Sequence, residues 1–200
     1  MKGYMGRILR VNLSVCRTEV MELEEELCHK FIGGSGAGAK TLWDMKAYDA
    51  DPLSEANPLI FMTGPFANTP ALTSGRHSIL ARSPITNIFG ESDCGGTWGP
   101  MLKRAGYDGI IVTGKSEDPV YIWCSDQGVE VRDAKHLWGK GTFGTDAMLR
   151  SETAKKAVVA SIGPAGERQV PMAAVMHDGS AARAAGRCGL GAVMGSKNLK

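Results

Sequence analysis

Apolar and polar side chains alternate over residues 7–13 (RILRVNL) and again over 17–23 (RTEVMEL), with residues 14–16 between them. A period of two places successive side chains on opposite faces of an extended strand, so the pair predicts a β-hairpin. Residues 24–31 predict a short helix with acidic residues at its positive end. The segment 33–43 (GGSGAGAKTLW) reads as a glycine-rich loop feeding a helix that stops before Asp51-Pro52. Next, 58–63 (PLIFMT) is apolar throughout and closed by Gly64-Pro65, the pattern of a buried strand.

Alternation returns at 74–82 (SGRHSILAR), and 92–99 (SDCGGTWG) reads as a second glycine turn before a helix of about two turns ending at Ala105. Residues 109–115 (GIIVTGK) predict a strand ending in a turn. Residues 120–125 and 129–132 predict a hairpin about Asp126-Gln127-Gly128, where the turn chemistry is favourable. Residues 142–153 carry the best amphipathic helix pattern, and 157–162 (AVVASI) a buried strand closed by Gly163-Pro164. Hairpins thus alternate with short helices, without regular βαβ units, which predicts an α+β fold with mixed or antiparallel sheets. LIFMTGP (59–65) and VVASIGP (158–164) echo each other, each a buried strand capped by Gly-Pro. The expectation is one domain over 1–200 made of two pseudo-symmetric halves, about 1–105 and 106–200, related by internal duplication.

Composition alters this picture in one respect. Of the 200 residues, 26 are glycine, about twice the usual ~7%, and they cluster. A net charge of +2 is too small to argue for nucleic acid or an anionic membrane. No run approaches the ~18 apolar residues of a membrane span, and the N-terminus lacks the apolar stretch of a signal peptide. The five cysteines (16, 28, 94, 124, 188) are far apart and form no CxxC, so no cysteine-ligated zinc or cluster can be built from neighbours. Free cysteines without a leader point to a reducing, cytoplasmic setting.

Candidate chemistry concentrates at 179–200 (GSAARAAGRCGLGAVMGSKNLK), which holds five glycines and four cations and no acid. Glycine lets backbone approach a ligand closely, gathered N–H groups form an anion site, and arginine adds planar donors suited to phosphate. A tight turn followed by a flexible tail accounts for the same composition, and the two readings stand level. Arg76, beside Gly75, reads either as a solvated edge residue or as an arginine reaching an anion or an electron-transfer group. Asp93, Gly95 and Gly96 read either as a helix N-cap region or as glycines clearing space beside a polar side chain.

Two phosphate motifs fail on context. GSGAGAKT (34–41) has Ala39 where a P-loop has glycine, and helix-like sequence precedes it where a buried strand is required. GxGxxxG from Gly189 is one residue off the dinucleotide fingerprint and lacks the βαβ unit that must follow. The four histidines (29, 77, 136, 177) have no metal-type spacing; His29 and His136 read as structural, and His77 and His177 at most as supports behind a site. No catalytic acid, base or nucleophile emerges, so the residues favour binding over chemistry.

Seven segments together resemble the tungsten-dependent aldehyde ferredoxin oxidoreductase family. They are GRILRVNLS (6–14), the Gly64-Pro65 turn, SGRHSILARSP (74–84), CGGTWGPMLKRAGYDGIIVTGK (94–115), HLWGKGT (136–142), SIGPAGE (161–167) and AAGRCGLGAVMGSKNLK (184–200). They occur in order along the whole chain, and the coverage is of the family's N-terminal domain. The resemblance implies a base of two similar mixed β-sheet halves carrying a tungsten bis-pterin (molybdopterin-type) cofactor.

Carried onto this sequence, the family's pterin contacts fall on Arg76, Asp93, Gly95, Arg183, Ala184, Gly186 and Arg187. The backbone carbonyls of Asp93 and Ala184 would hold a magnesium ion joining the two pterin phosphates, in keeping with its taste for hard oxygen ligands. Asparagine is usual in the family at Asp93, and glycine at Cys188. A carboxylate near phosphates calls for Mg²⁺ or Arg183 close by.

The resemblance further implies an enzyme that oxidises aldehydes to carboxylic acids with ferredoxin as acceptor, through a [4Fe-4S] cluster whose ligands lie outside these residues. No catalytic residue is expected in this chain, which is not expected to be active alone. Implied partners are the remaining domains or a partner subunit of the same enzyme, ferredoxin, and a homodimer or larger assembly. Alternatives are the tungsten subunit of a benzoyl-CoA reductase-type enzyme, with tungsten or molybdenum as metal, and a non-catalytic pterin carrier.

Overall fold

A computed structural model describes residues 1–200. In chain order the elements are β1 (Arg7–Asn12), β2 (Arg17–Glu22), α1 (Glu25–Phe31), α2 (Gly34–Asp44), β3 (Leu59–Thr63), β4 (His77–Arg82) and β5 (Phe89–Cys94). Then follow α3 (Trp98–Arg104), β6 (Gly109–Thr113), β7 (Val120–Ser125), β8 (Gly128–Asp133), α4 (Thr142–Glu152), β9 (Ala160–Ser161), α5 (Pro164–Glu167), β10 (Val175–His177), β11 (Arg183–Ala185) and α6 (Leu190–Ser196). The α+β expectation holds: several sheets are combined with six short helices.

The first sheet is mixed and has six strands, in the order β2-β1-β6-β3-β4-β5. Its one parallel pair is β1 with β6; the remaining neighbours are antiparallel. Strands β3 and β6 are apolar because both faces are covered. On one face Ile8, Ile60, Met62, Leu80 and Ile111 pack with Leu42 and Ala37 of α2. On the other, Leu9, Val11, Phe61, Ile79 and Val112 join Leu102 of α3 and Leu190 and Val193 of α6.

A two-stranded sheet, β7-β8, and a three-stranded one, β11-β10-β9, make up the second region. Residues 198–200 run between them. The Val120 N–H donates to the Asn198 carbonyl (2.9 Å), the Lys200 N–H to that of Val120 (2.8 Å), and the Ile162 N–H to that of Lys200 (3.4 Å). Val120 and Leu199 form a parallel bridge. The resulting order, β8-β7-(198–200)-β9-β10-β11, repeats that of the first sheet. Strand β6 lies beyond residue 105 and inserts between β1 and β3, so the elements that share this order span 7–113 and 120–200.

Four expectations need correction. Residues 89–94 form strand β5, where a glycine turn from Ser92 was expected; the bend is confined to Gly96 and Thr97. Strand β9 is two residues long, because it pairs in register with β10 only at Ala160 and Ser161. The glycines at 34–38 lie inside α2, and the tail after residue 189 is α6, every residue of which is buried. These glycine-rich helices share one cause, close approach. A Cβ on Gly38 would overlap Leu80, and one on Gly195 would overlap the Gly166 carbonyl.

Candidate functional site

Strand β5 is the outer strand of the first sheet and β11 that of the second, and the two lie side by side. The Arg187 N–H donates to Ser92 Oγ (3.1 Å), and the Cys188 thiol to the Glu91 carbonyl (3.4 Å). The Ser83 hydroxyl donates to the Cys188 carbonyl (2.9 Å). At the other end Gly96 abuts Arg183 and Asp178. Contacts at 91–188, 92–187 and 96–183 set the two strands antiparallel, which places Asp93 and Gly95 opposite residues 184–186.

Alternation along both strands then sorts the side chains. Ser92, Cys94 and Ala185 are buried, whereas Asp93, Ala184 and Gly186 are exposed. Arg183 and Arg187 flank them, also exposed. Arg76 joins from the residue before β4: His77 is the register partner of Cys94, and a Cβ on Gly75 would overlap the Gly96 carbonyl. All seven expected residues, Arg76, Asp93, Gly95, Arg183, Ala184, Gly186 and Arg187, therefore meet on one open seam.

None of the three arginines makes an ion pair. The one carboxylate beside Arg183, that of Asp178, is committed elsewhere. It accepts from the Thr97 N–H at Oδ2 (2.8 Å) and from the Thr97 hydroxyl at Oδ1 (3.0 Å). Gly96, at φ +102°, makes room for it, since a Cβ there would overlap Asp178 Oδ2. Asp93 is answered by a hydroxyl: Ser78 donates to its Oδ1 at 2.6 Å. Ser35, at the start of α2, donates to Glu91 and lies 3.3 Å from Ser78 Oγ. The near-P-loop segment thus reaches the seam by its serine and not through its lysine, which pairs with Asp44.

Beneath the seam the chemistry is muted. Burial pushes the Cys94 thiol up to about 11; Asp178 adds to the rise, and Arg183 and Arg76 oppose it. It stays a thiol at neutral pH. His77 and His177 meet through their Nε2 atoms at 3.2 Å, against the ring of Trp98. Burial pulls His77 down to about 3, with His177 adding to the fall, and pulls His177 down to about 4 against the opposing charge of Asp178. Sequence reading missed Ser35, Ser78, Glu91, Asp178 and the contact between the two histidines. Each acts through a partner 15 to 100 residues away, so no local spacing could announce it.

No three His, Cys, Asp or Glu side chains converge to form a metal-binding group. An apolar cavity of about 500 Å³ lies elsewhere, lined by residues such as Phe61, Trp98, Ile110, Tyr121 and Val159. No helix is long and apolar enough to cross a membrane, and all five cysteines are free.

Residues 8–200 match the aldehyde ferredoxin oxidoreductase N-terminal domain family. The tungsten-containing aldehyde ferredoxin oxidoreductases of Pyrococcus furiosus and Pyrococcus horikoshii are 48% and 49% identical over 201 residues, covering the whole chain and 33% of each relative. The WOR-like subunit of an aliphatic sulfonate oxidoreductase from Pyrococcus furiosus is 38% identical, with the chain covering 34% of it. A solved active-site complex of a benzoyl coenzyme A reductase with 1,5-dienoyl-CoA superposes with a TM-score of 0.95 at 38% identity, over all of this chain and 30% of that one. The chain spans about a third of the length of these relatives. It belongs to the aldehyde ferredoxin oxidoreductase family, as an N-terminal domain of that family.

Proposed function

We propose that this domain is the base on which a tungsten bis-pterin cofactor rests, in an enzyme that oxidises aldehydes to carboxylic acids and passes electrons to ferredoxin. One observation carries the reading: three arginines without carboxylate partners border a seam of small residues, open to solvent, whose nearby acids are held by hydroxyl and amide donors. Such a surface has positive charge to spare and room for a large anion. Arg76, Arg183 and Arg187 would hold pterin phosphates, Gly95 and Gly186 would clear space for the rings, and the Asp93 and Ala184 carbonyls would face a magnesium ion between the phosphates. When bound, the cofactor would supply the redox chemistry, and the dithiolene sulfurs would bind tungsten in place of cysteine. The protein's part at this seam is to bind and orient.

Greater identity to the aldehyde oxidoreductases than to the reductase structure favours aldehyde over benzoyl-CoA chemistry. The two repeats, 7–113 and 120–200, support an origin by internal duplication. Remaining domains of the same enzyme, a [4Fe-4S] cluster held by them, a homodimeric or larger assembly and a cytoplasmic setting complete the proposal.

The test is cofactor content in the longer protein that carries this domain, produced in a tungsten- and pterin-competent host. Two pterins and one tungsten per chain are expected, by fluorescence of the oxidised pterin and by elemental analysis. Arg76→Ala and Arg183→Ala each remove a charge-assisted contact, about 1.5–3 kcal/mol, so retention should fall about tenfold or more while the fold persists. Full retention in both variants, or no pterin in the parent, would refute the assignment.

A further inference from the structure

The contact between His77 and His177 has no counterpart among the expected site residues, and its chemistry is specific. The two side chains are 2% and 1% exposed, and the pair lies against Trp98, with ring centroids 4.7 and 5.8 Å away. An Nε2···Nε2 separation of 3.2 Å between neutral imidazoles requires one N–H and one lone pair. One ring is therefore the Nε2–H tautomer and the other the Nδ1–H tautomer. Both Nδ1 atoms are buried without a partner at hydrogen-bond geometry, although the backbone at Val175 and Arg183 lies close enough to His177 to oppose the fall in its pKa; the Nε2 contact is the one bond that either imidazole makes to another side chain.

Position gives the contact its meaning. His77 opens β4, follows Arg76 directly, and is the register partner of Cys94, which lies between Asp93 and Gly95. His177 closes β10, precedes Asp178, and is the register partner of Arg183. One bond thus ties the strand behind one half of the seam to the strand behind the other. A core position with no other task would be filled at less expense by apolar side chains, because each orphaned nitrogen is penalised by burial.

We propose that His77 and His177 are positioning residues, a crosspiece that fixes the spacing between Arg76 with Gly95 on one side and Arg183 with Ala184 on the other, and so sets retention of a bis-phosphate cofactor. The inference rests on the proposed cofactor site. Supports of this kind commonly change ligand affinity by about 10–100-fold.

The decisive variant is the double His77→Phe/His177→Phe in the full-length protein, since replacing both partners by apolar rings of similar shape spares the fold. Pterin and tungsten per chain should fall at least about tenfold, with the melting temperature kept. His77→Gln, which can return an amide nitrogen near the lost Nε2, should recover retention to within about twofold when His177 is kept. Imidazole ¹⁵N spectra of the parent should show one Nε2–H and one Nδ1–H ring. Independently of cofactor, hydrogen exchange at the Cys94 and Arg183 amides should quicken about tenfold in the double variant while Phe61 is unchanged. Full retention in a double variant whose parent is loaded would overturn the crosspiece and leave the site standing. A parent without pterin would overturn the site, and unaltered exchange would then overturn the crosspiece as well.

Discussion

Positive charge is handled in two opposite ways in this molecule. Lys103, Lys197 and Lys200 are wholly buried, and each is answered within the fold. Lys103 donates to the Gly3 and Gly64 carbonyls and lies 3.4 Å from Asp108. Lys200 donates to the Lys140 carbonyl and pairs with Glu167. Lys197 reaches the Gly114 and Glu55 carbonyls at 3.2 and 3.4 Å. Arg76, Arg183 and Arg187 are exposed and answered by nothing charged, although Asp178 adjoins Arg183 at Gly96. A buried cation must be satisfied for the chain to fold, whereas an exposed one can be held in reserve for a ligand. The lysines are therefore staples and the arginines a binding surface.

Breaking the Lys103 staple should have the largest effect. Lys103 and Asp108 are each 2% exposed, and Lys103→Met strands a buried carboxylate, which costs about 3–5 kcal/mol. A denaturation midpoint lowered accordingly is expected, with Lys103→Met/Asp108→Asn recovering much of the loss; a change below about 1 kcal/mol would show that the pair behaves as a surface bridge. Lys197 should reveal itself through pH. Burial lowers it from 10.5 to about 8, with Glu55 opposing. Below pH 8 the folded state carries the charged amine at a penalty. Between 8 and 10.5 the unfolded chain binds the proton that the folded chain has released, so stability rises with pH, by on the order of 3 kcal/mol. Melting curves of the parent and Lys197→Met across that window should diverge in the parent's favour; parallel curves would contradict the shift.

On the seam itself, Gly96→Ala is the harshest change. The added Cβ must displace Asp178 and the backbone sits at φ +102°, so a loss of about 1–3 kcal/mol is expected by thermal denaturation. The displaced carboxylate becomes free to pair with Arg183. Loss of stability without any loss of cofactor would mean that Asp178 does not govern the charge on the seam.

The staples and the seam were unequally legible in the sequence. Strands β1, β3, β6 and β7 could be read from period and composition, because a buried strand and a hairpin write themselves locally. The segment 89–94 hid strand β5 because Gly90, Glu91 and Asp93 are poor strand formers, held there by pairing with β4. Helix α6 looked like a mobile tail because Gly191 and Gly195 are uncommon in helices; the close approach of 166 and 174 that requires them is tertiary. The seven seam residues were placed by resemblance, since composition left 179–200 divided between an anion loop and a turn. Nothing local marks Ser78 for Asp93, or His77 for His177. Nothing local marks Lys103 for burial, and Lys197, counted among the cations of the candidate anion stretch, is instead buried against carbonyl partners.

The smallest effect is the one that separates the two classes of cation most cleanly. Arg76→Ala, Arg183→Ala and Arg187→Ala remove exposed side chains without charged partners, so each should change stability by no more than about 0.5 kcal/mol. Pyrophosphate, a minimal stand-in for the phosphates, should instead tell them apart from the staples. A ligand present at ten times its dissociation constant stabilises by about 1.4 kcal/mol, or roughly 3–6 °C in a chain of this size. The parent should show that rise and the triple arginine variant should not, while Lys103→Met, though less stable, should keep it. Because the contacts are electrostatic and solvent-facing, the rise should also shrink as salt increases. A triple variant that still responds to pyrophosphate would place the anion site away from the β5–β11 seam, and with it the division between staples and binding surface would fall.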